Sequence, residues 1–183
     1  MRYRLTPLYK AGAYGSVICL CLICGMITAQ ILGRMADKFM VWIGQDSLGL
    51  AIPGLSEISG FLLVGASFLG LAYTFVNGGH IRVTLLISHL SPTIRVFLEL
   101  WCLSLALLLC GFLAWYTFWL VDDSIAFNEV SYGILRIPLW IPQSGMLLGI
   151  LMLCVALFEA WLQVAITAFT RPAEFIIDDS GHE

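Results

Sequence analysis

Long stretches without a charged residue constrain this chain more than any other feature. Three of them span 23, 22 and 22 residues, from Ala11 to Gly33, Ile58 to Gly79 and Leu100 to Val121. In a fourth, from Ile137 to Thr170, Glu159 is the only charge. About 20 apolar residues in a helix cross a bilayer, and a helix satisfies its own backbone hydrogen bonds in lipid. The sequence therefore predicts an all-α integral membrane protein with four transmembrane helices, at about 12–33, 56–78, 97–121 and 143–169.

The composition agrees with a single membrane domain over residues 1–183. Hydrophobic residues make up 60% of the chain and charged residues 11%, whereas soluble domains have about 25% charged residues. The net charge of −3 and the lack of a basic stripe give no sign of a nucleic-acid partner. Arg2, Arg4 and Lys10 precede the first apolar run, as in a signal peptide. That run is too long for one, so we expect a retained helix.

The distribution of Lys and Arg predicts the orientation, because short cytoplasmic segments are enriched in both. With the N-terminus inside, the inner segments hold six of these residues and the outer segments hold three. The outer three are Arg34, Lys38 and Arg136. We therefore predict that both termini are cytoplasmic.

The two outer connections, at about 34–55 and 122–142, carry apolar residues between charged ones. In the first, Met35, Phe39 and Trp42 recur at helical spacing. Such segments are typical of amphipathic helices that lie flat in the membrane interface. We therefore predict one interfacial segment in each connection.

Both outer connections end in an Ile-Pro pair, within IPG at 52–54 and IPLWIP at 137–142. Proline is well tolerated in the first turn of a helix. The second and fourth helices are therefore predicted to begin there. The shared order of outward helix, flat segment, Ile-Pro and inward helix is compatible with a parallel repeat.

No pattern points to catalysis, a metal or a haem. On a helix, Cys19, Cys21 and Cys24 point apart, so their thiolates cannot close on one zinc ion. The other three cysteines lie in apolar runs, where cysteine acts as a small hydrophobe. The middle third of each predicted helix is uncharged, whereas ion pathways use intramembrane ionisable groups. We expect no enzymatic activity, no cofactor and no conduction path in this chain alone.

Small residues recur four positions apart along the predicted helices. Gly70 and Gly78 belong to such a stripe in the second helix, and Gly145 and Gly149 form one in the fourth. Small side chains let helices approach closely in lipid. Two interpretations remain open, namely packing within a four-helix bundle and contact with another membrane protein.

Charged residues gather at the predicted inner ends of the helices. Arginine readily reaches lipid headgroups, and we favour this role for Arg95. For His80, Arg82 and Glu159 we favour an inner anchor, in which Arg82 latches onto Glu159. A carboxylate that is not fully hydrated needs such a partner.

Two motifs give the chain a family resemblance. The stretch NGGHIRVTLL at 77–86 resembles the small membrane (DctQ-like) subunit of tripartite ATP-independent periplasmic (TRAP) transporters. There, the second helix ends in glycine before a His-x-Arg-Val signature, matched here by Gly79, His80, Arg82 and Val83. RIPLWIPQSGMLLG at 136–149 is similar to the family's Pro-Leu-Trp-Ile entry into the fourth helix.

The likeness extends over about residues 12–170. Arg34 and Glu57 also fit the family pattern. Thr84 departs from it, since the family often has an acidic residue at this position of the inner contact. The motifs, the four helices and the loop lengths together make the resemblance specific.

The resemblance implies an accessory scaffold subunit in the bacterial inner membrane, surrounded by lipid. A large membrane subunit of a sodium-coupled transporter would carry the substrate site and the coupling sodium. A soluble periplasmic binding protein would deliver an organic carboxylate. The alternative from another class is a membrane anchor or assembly subunit of a different inner-membrane complex, or a stand-alone structural protein.

The resemblance also suggests a use for the acidic outer loop. Asp122, Asp123 and Glu129 against Arg136 give −3 + 1 = −2. Charged rims tune association rate and specificity. Two interpretations stay open, since these carboxylates either keep the loop solvated or form part of the dock for the binding protein.

Overall fold

The computed structural model describes residues 5–46, 49, 52–78 and 92–170, without the side chains of residues 92, 93, 95 and 170. Within these ranges the chain forms helices and no strand; the helices are α1 (Thr6–Trp42), α2 (Leu55–Val76), α3 (Pro92–Ala126) and α4 (Trp140–Thr170). All four contain a stretch long and apolar enough to cross a membrane. The prediction of an all-helical chain with four spanning helices is confirmed. We call the end where α2 and α4 begin the outer end, after the predicted orientation.

The first helix is much longer than the charge-free run that predicted it. It has 37 residues, or about 55 Å at 1.5 Å per residue. Residues 34–42, expected in a separate interfacial segment, continue α1 because no proline or glycine interrupts them. Gln30 Oε1 accepts the backbone N–H of Ile52 at 2.8 Å, just before α2 begins. The last three turns of α1 therefore extend beyond the start of α2.

Glycines in the left-handed conformation end α1 and α2. Gly44 has φ of +83° and Gly78 has φ of +73°, which glycine adopts without steric cost. After α1, the N–H of Gln45 reaches back to the carbonyl of Met40 at 3.0 Å, as in a Schellman motif. Asn77 and Gly78 of the NGG stretch thus end a helix, while Gly79, His80 and Arg82 lie outside the described residues.

The second outer connection is a short hairpin rather than a flat helix. α3 ends in a Schellman motif around Asn128, whose φ is 50°. Val130 then forms an isolated β-bridge with Pro138. The helix expected across 122–142 is therefore absent from 127–139, because left-handed Asn128 and ring-constrained Pro138 do not continue one. We call residues 127–139 the outer hairpin.

The helices pack in the order α1, α2, α4, α3. α2 lies against both α1 and α4, and α3 lies mainly against α4. α1 and α3 therefore occupy the two edges and keep broad apolar faces exposed, with residues such as Ile18, Leu32, Leu108 and Phe112.

Glycines allow the closest helix contacts. A Cβ at Gly149 would lie 2.5 Å from the carbonyl oxygen of Phe68, and one at Gly70 would lie 3.2 Å from Ser16 Oγ. Among the described residues, no atom of another element comes within 4 Å of the Cβ positions at Gly78 and Gly145. Gly149 and Gly70 thus lie at the α2–α4 and α1–α2 contacts, whereas no other element of the described part of the chain packs on Gly78 or Gly145.

Candidate functional site

At the inner end, a hydrogen bond ties the start of α1 to α4. The hydroxyl of Tyr9 donates to Glu159 Oε2 at 2.9 Å, and Tyr9 is completely buried. α1 and α4 otherwise make only a small contact. The side chain of Tyr9 therefore bridges two helices that α2 largely separates.

The residues around Tyr9 bring three helices together. Its ring packs with Ala72 of α2 and with Met152 and Ala156 of α4. One turn later, a Cβ at Gly12 would lie 2.7 Å from the carbonyl oxygen of Leu69. The inner end of α1 is therefore fitted closely to both neighbours.

Of the predicted inner anchor, the structure describes only Glu159. His80 and Arg82 lie outside the described residues, as does the side chain of Arg95. The latch between Arg82 and Glu159 thus stays a prediction. Sequence reasoning missed Tyr9 because it precedes the charge-free run that marked the first helix.

At the outer end, the carboxylate of Glu57 holds the outer hairpin. Glu57 lies in the first turn of α2. Its Oε1 accepts a short hydrogen bond from the hydroxyl of Ser131, and its Oε2 accepts the backbone N–H of Leu135 at 3.2 Å. A charged acceptor makes such bonds stronger than neutral ones. The loop between α3 and α4 is therefore attached to the start of α2.

Two glycines give this attachment its close fit. A Cβ at Gly133 would overlap the carboxylate of Glu57, and one at Gly54 would lie 2.6 Å from Leu135 Cγ and Cδ1. Gly54 also has φ of +72°, which a side chain would strain. The hairpin and the start of α2 therefore interlock.

The predicted docking residues are exposed close to this hairpin. Asp122 and Asp123 lie on the last turns of α3, and both are exposed. Glu129 is exposed as well, and its Oε2 accepts a hydrogen bond from buried Ser124 at 2.9 Å. These positions allow contact with a partner, while Glu129 also helps to hold the end of α3.

The outer hairpin presents large apolar side chains beside these acids. Phe127 and Ile134 are each 76% exposed, and the side chain of Tyr132 is fully exposed. Such fully projecting side chains contribute little to the stability of this chain by itself. Among the described residues outside the four helices, they are the most exposed apolar side chains.

The cysteines form no metal site in the described part of the chain. No three His, Cys, Asp or Glu side chains gather there as metal ligands. Cys110 of α3 and Cys154 of α4 place their sulfurs 3.1 Å apart, and Cys110 is buried among apolar residues such as Ile150 and Leu157. This pair fills the α3–α4 contact.

Four apolar helices in a row, tied together at both ends, define a multi-pass membrane protein built around helix contacts. Its residues 23–167 match the family model described as "Tripartite ATP-independent periplasmic transporters, DctQ component". The chain belongs to this family and is a small permease subunit of a TRAP transporter. The predicted family is thereby confirmed. Comparisons with curated proteins and with solved structures find no match.

Proposed function

We propose that this chain is the accessory scaffold of a sodium-coupled TRAP transporter in a bacterial inner membrane. The transporter imports an organic carboxylate, which a periplasmic binding protein delivers. The family match over residues 23–167 carries this proposal. The chain itself is neither an enzyme nor a cofactor carrier, and the coupling sodium binds to the large membrane subunit.

The distribution of charge supports placing substrate and sodium in the partner. Runs without a charged residue fill the middle of α1, α2 and α3, and Glu159 of α4 lies near the inner end. Transport sites in membranes rely on ionisable or polar groups at mid-depth. This chain therefore contributes structure to the transporter rather than a binding site.

The helix contacts support a bracing role. Tyr9 and Glu159 join α1 to α4 at the inner end, and Glu57 joins α2 to the α3–α4 connection at the outer end. α2 and α4 meet closely at Gly149. A chain fastened at both ends suits the fixed part of a transporter, against which the large subunit's transport domain moves.

The exposed faces of α1 and α3 are available to lipid and to the large subunit. On α3, Trp101, Leu108, Phe112 and Trp115 are among the exposed side chains. In lipid, helix association depends on packing and interhelical hydrogen bonds rather than on the hydrophobic effect. At the outer end, Asp122, Asp123 and Glu129 are proposed to form part of the dock for the binding protein.

Reconstitution tests the proposal. Liposomes containing this chain alone should show no uptake, whereas adding the large subunit and the binding protein under an inward sodium gradient should produce carboxylate uptake. Affinity purification of this chain should recover the large permease. Sodium-driven uptake by this chain alone would contradict the accessory role, and recovery of a cofactor-bearing soluble chain instead would indicate an enzyme anchor.

A further inference from the structure

We propose that Glu57 is a positioning residue that fixes the outer hairpin as a preformed contact surface for a protein with a cationic, partly apolar face. This inference rests on the proposed function, because the partner at this end is the substrate-binding protein. We call the contacts of Glu57 with Ser131, Gly133 and Leu135 the clasp. The clasp holds the exposed apolar side chains of the outer hairpin in place.

The clasp uses both oxygens of one carboxylate. Ser131 donates its hydroxyl to Oε1, and Leu135 donates its backbone N–H to Oε2 at 3.2 Å. The hydroxyl oxygen of Ser131 also accepts the N–H of Gly133 at 3.4 Å. Donors on both sides of Gly133 thus converge on Glu57, 74 residues earlier than Ser131 in the chain.

The clasp leaves little room for another arrangement. A side chain at Gly133 would overlap the Glu57 carboxylate, and one at Gly54 would meet Leu135. The Gly54 carbonyl also accepts the N–H groups of Glu57 and Ile58 at 3.0 and 3.2 Å. Gly54 and Glu57 therefore both form the start of α2 and contact the hairpin. The start of α2 thus determines the position of the hairpin.

The hairpin has its own backbone support, which keeps its outer side chains projecting. Ser131 donates its N–H to Ile137 at 2.8 Å, and Leu139 donates its N–H to Glu129 at 3.0 Å. Tyr132 and Ile134 lie in the loop that these two bonds close and are strongly exposed. Fixing such side chains before binding lowers the entropy cost of association.

The charge of this surface favours a protein partner over the lipid surface. Asp122, Asp123 and Glu129 are exposed and close in sequence to the apolar side chains, and the loop over 122–142 carries −3 + 1 = −2. Anionic headgroups repel such a rim, whereas a basic patch on a protein attracts it. Aromatic side chains ringed by polar ones are typical of the energetic centres of protein interfaces.

The test uses this chain assembled with the large subunit in liposomes, as wild type, Glu57→Gln, Ser131→Ala and Asp46→Asn. Asp46→Asn is the matched control, because it removes one charge from an exposed position in the other outer connection. Ser131→Ala removes one donor and leaves the carboxylate. Amide hydrogen exchange over 129–139 and the binding-protein concentration for half-maximal uptake are measured for each.

In Glu57→Gln we expect hairpin amides to exchange about tenfold faster or more, because the amide keeps only one, uncharged acceptor and turns a donor toward the other hydrogen-bond donor. The binding-protein concentration for half-maximal uptake should rise several-fold, and Ser131→Ala should show the same changes to a smaller degree. Asp46→Asn should behave as wild type in both measurements.

Unchanged exchange in both Glu57→Gln and Ser131→Ala would overturn the positioning role. Faster exchange with an unchanged half-maximal concentration would overturn the contact surface, while the continuing uptake would leave the proposed function intact. If even the wild-type assembly shows no uptake, the proposed function and the contact surface both fail. The exchange measurement would still decide whether Glu57 positions the hairpin.

Discussion

The hydroxyl of Tyr9 lies 2.9 Å from Glu159 Oε2, across 150 residues of sequence. This bond joins the first turns of α1 to the inner part of α4, and α2 lies between the two helices along most of their length. Through this bond, the carboxylate of Glu159 in a spanning helix accepts a hydrogen bond from the same chain. Removing the bond therefore tests whether polar contacts hold the four helices together at the inner end.

Tyr9→Phe should destabilise the protein while preserving the packing of the ring on Ala72 and Met152. A hydrogen bond to a carboxylate contributes about 1.5–3 kcal/mol, and Glu159 loses the donor that Tyr9 supplies. Thermal melting in lipid nanodiscs measures the effect. Tyr14→Phe is the control, because Tyr14 lies on the same helix and is 69% exposed. Identical melting of the two variants would show that the Tyr9 hydroxyl contributes nothing.

Gly149→Ala should loosen the contact between α2 and α4. The added Cβ would lie 2.5 Å from the carbonyl oxygen of Phe68, so the helices must separate, at a cost of about 1–3 kcal/mol. Gly145→Ala is the matched control one turn earlier, where the space is open. It should leave stability unchanged or raise it slightly, because alanine favours helix over glycine. A Gly149→Ala variant as stable as Gly145→Ala would contradict the close contact.

Gly145 also distinguishes the two interpretations of the small-residue stripes. In the isolated chain its Cβ position has no atom of another described element within 4 Å. If the large subunit packs there, Gly145→Leu should leave the melting of the isolated chain unchanged but lower recovery of the large subunit in affinity purification. Equal recovery with Gly145 and with Leu at this position would assign that face to lipid.

The topology prediction is testable at two described outer positions. Single cysteines at Asp46 and Tyr132, in a background without the six native cysteines, should react with a membrane-impermeant thiol reagent added from the periplasmic side. Both side chains are exposed, and the six-to-three distribution of Lys and Arg predicts that both lie outside. Labelling of either position only after the cytoplasmic side is opened would reverse the predicted orientation.

The spanning helices were predictable because their signal is local. A charge-free run such as Ala11–Gly33 requires a helix in lipid, and Gly78 of the NGG stretch marks where α2 ends. The extension of α1 to Trp42 was not predictable from charge alone, since Arg34 and Lys38 suggested a boundary although neither interrupts a helix. Apolar residues between charged ones in the second outer connection suggested a flat helix, but the turn at Asn128 prevails there.

The contacts that tie the helices together could not be read from sequence. Glu57 and Ser131 are 74 residues apart, and neither carries a local pattern that indicates the other. Pairing of Tyr9 with Glu159 likewise depends on how α1 crosses α2 and α4. Hydrophobic patterns fix which segments enter the membrane, whereas the partners of polar groups follow from packing of the whole chain.

Replacing Asp122 and Asp123 with lysine should weaken docking of the binding protein in a salt-dependent way. Both side chains are exposed at the end of α3, and the double change alters the outer loop by +4, from −2 to +2. Charged rims act mainly on association rate, and at about 0.1 M salt their influence reaches only about 10 Å. The binding-protein concentration for half-maximal uptake should therefore rise several-fold at low salt and approach the wild-type value at high salt. Melting of the assembled membrane subunits should not change. A half-maximal concentration equal to that of the wild type at low salt would show that the two aspartates only keep the loop solvated.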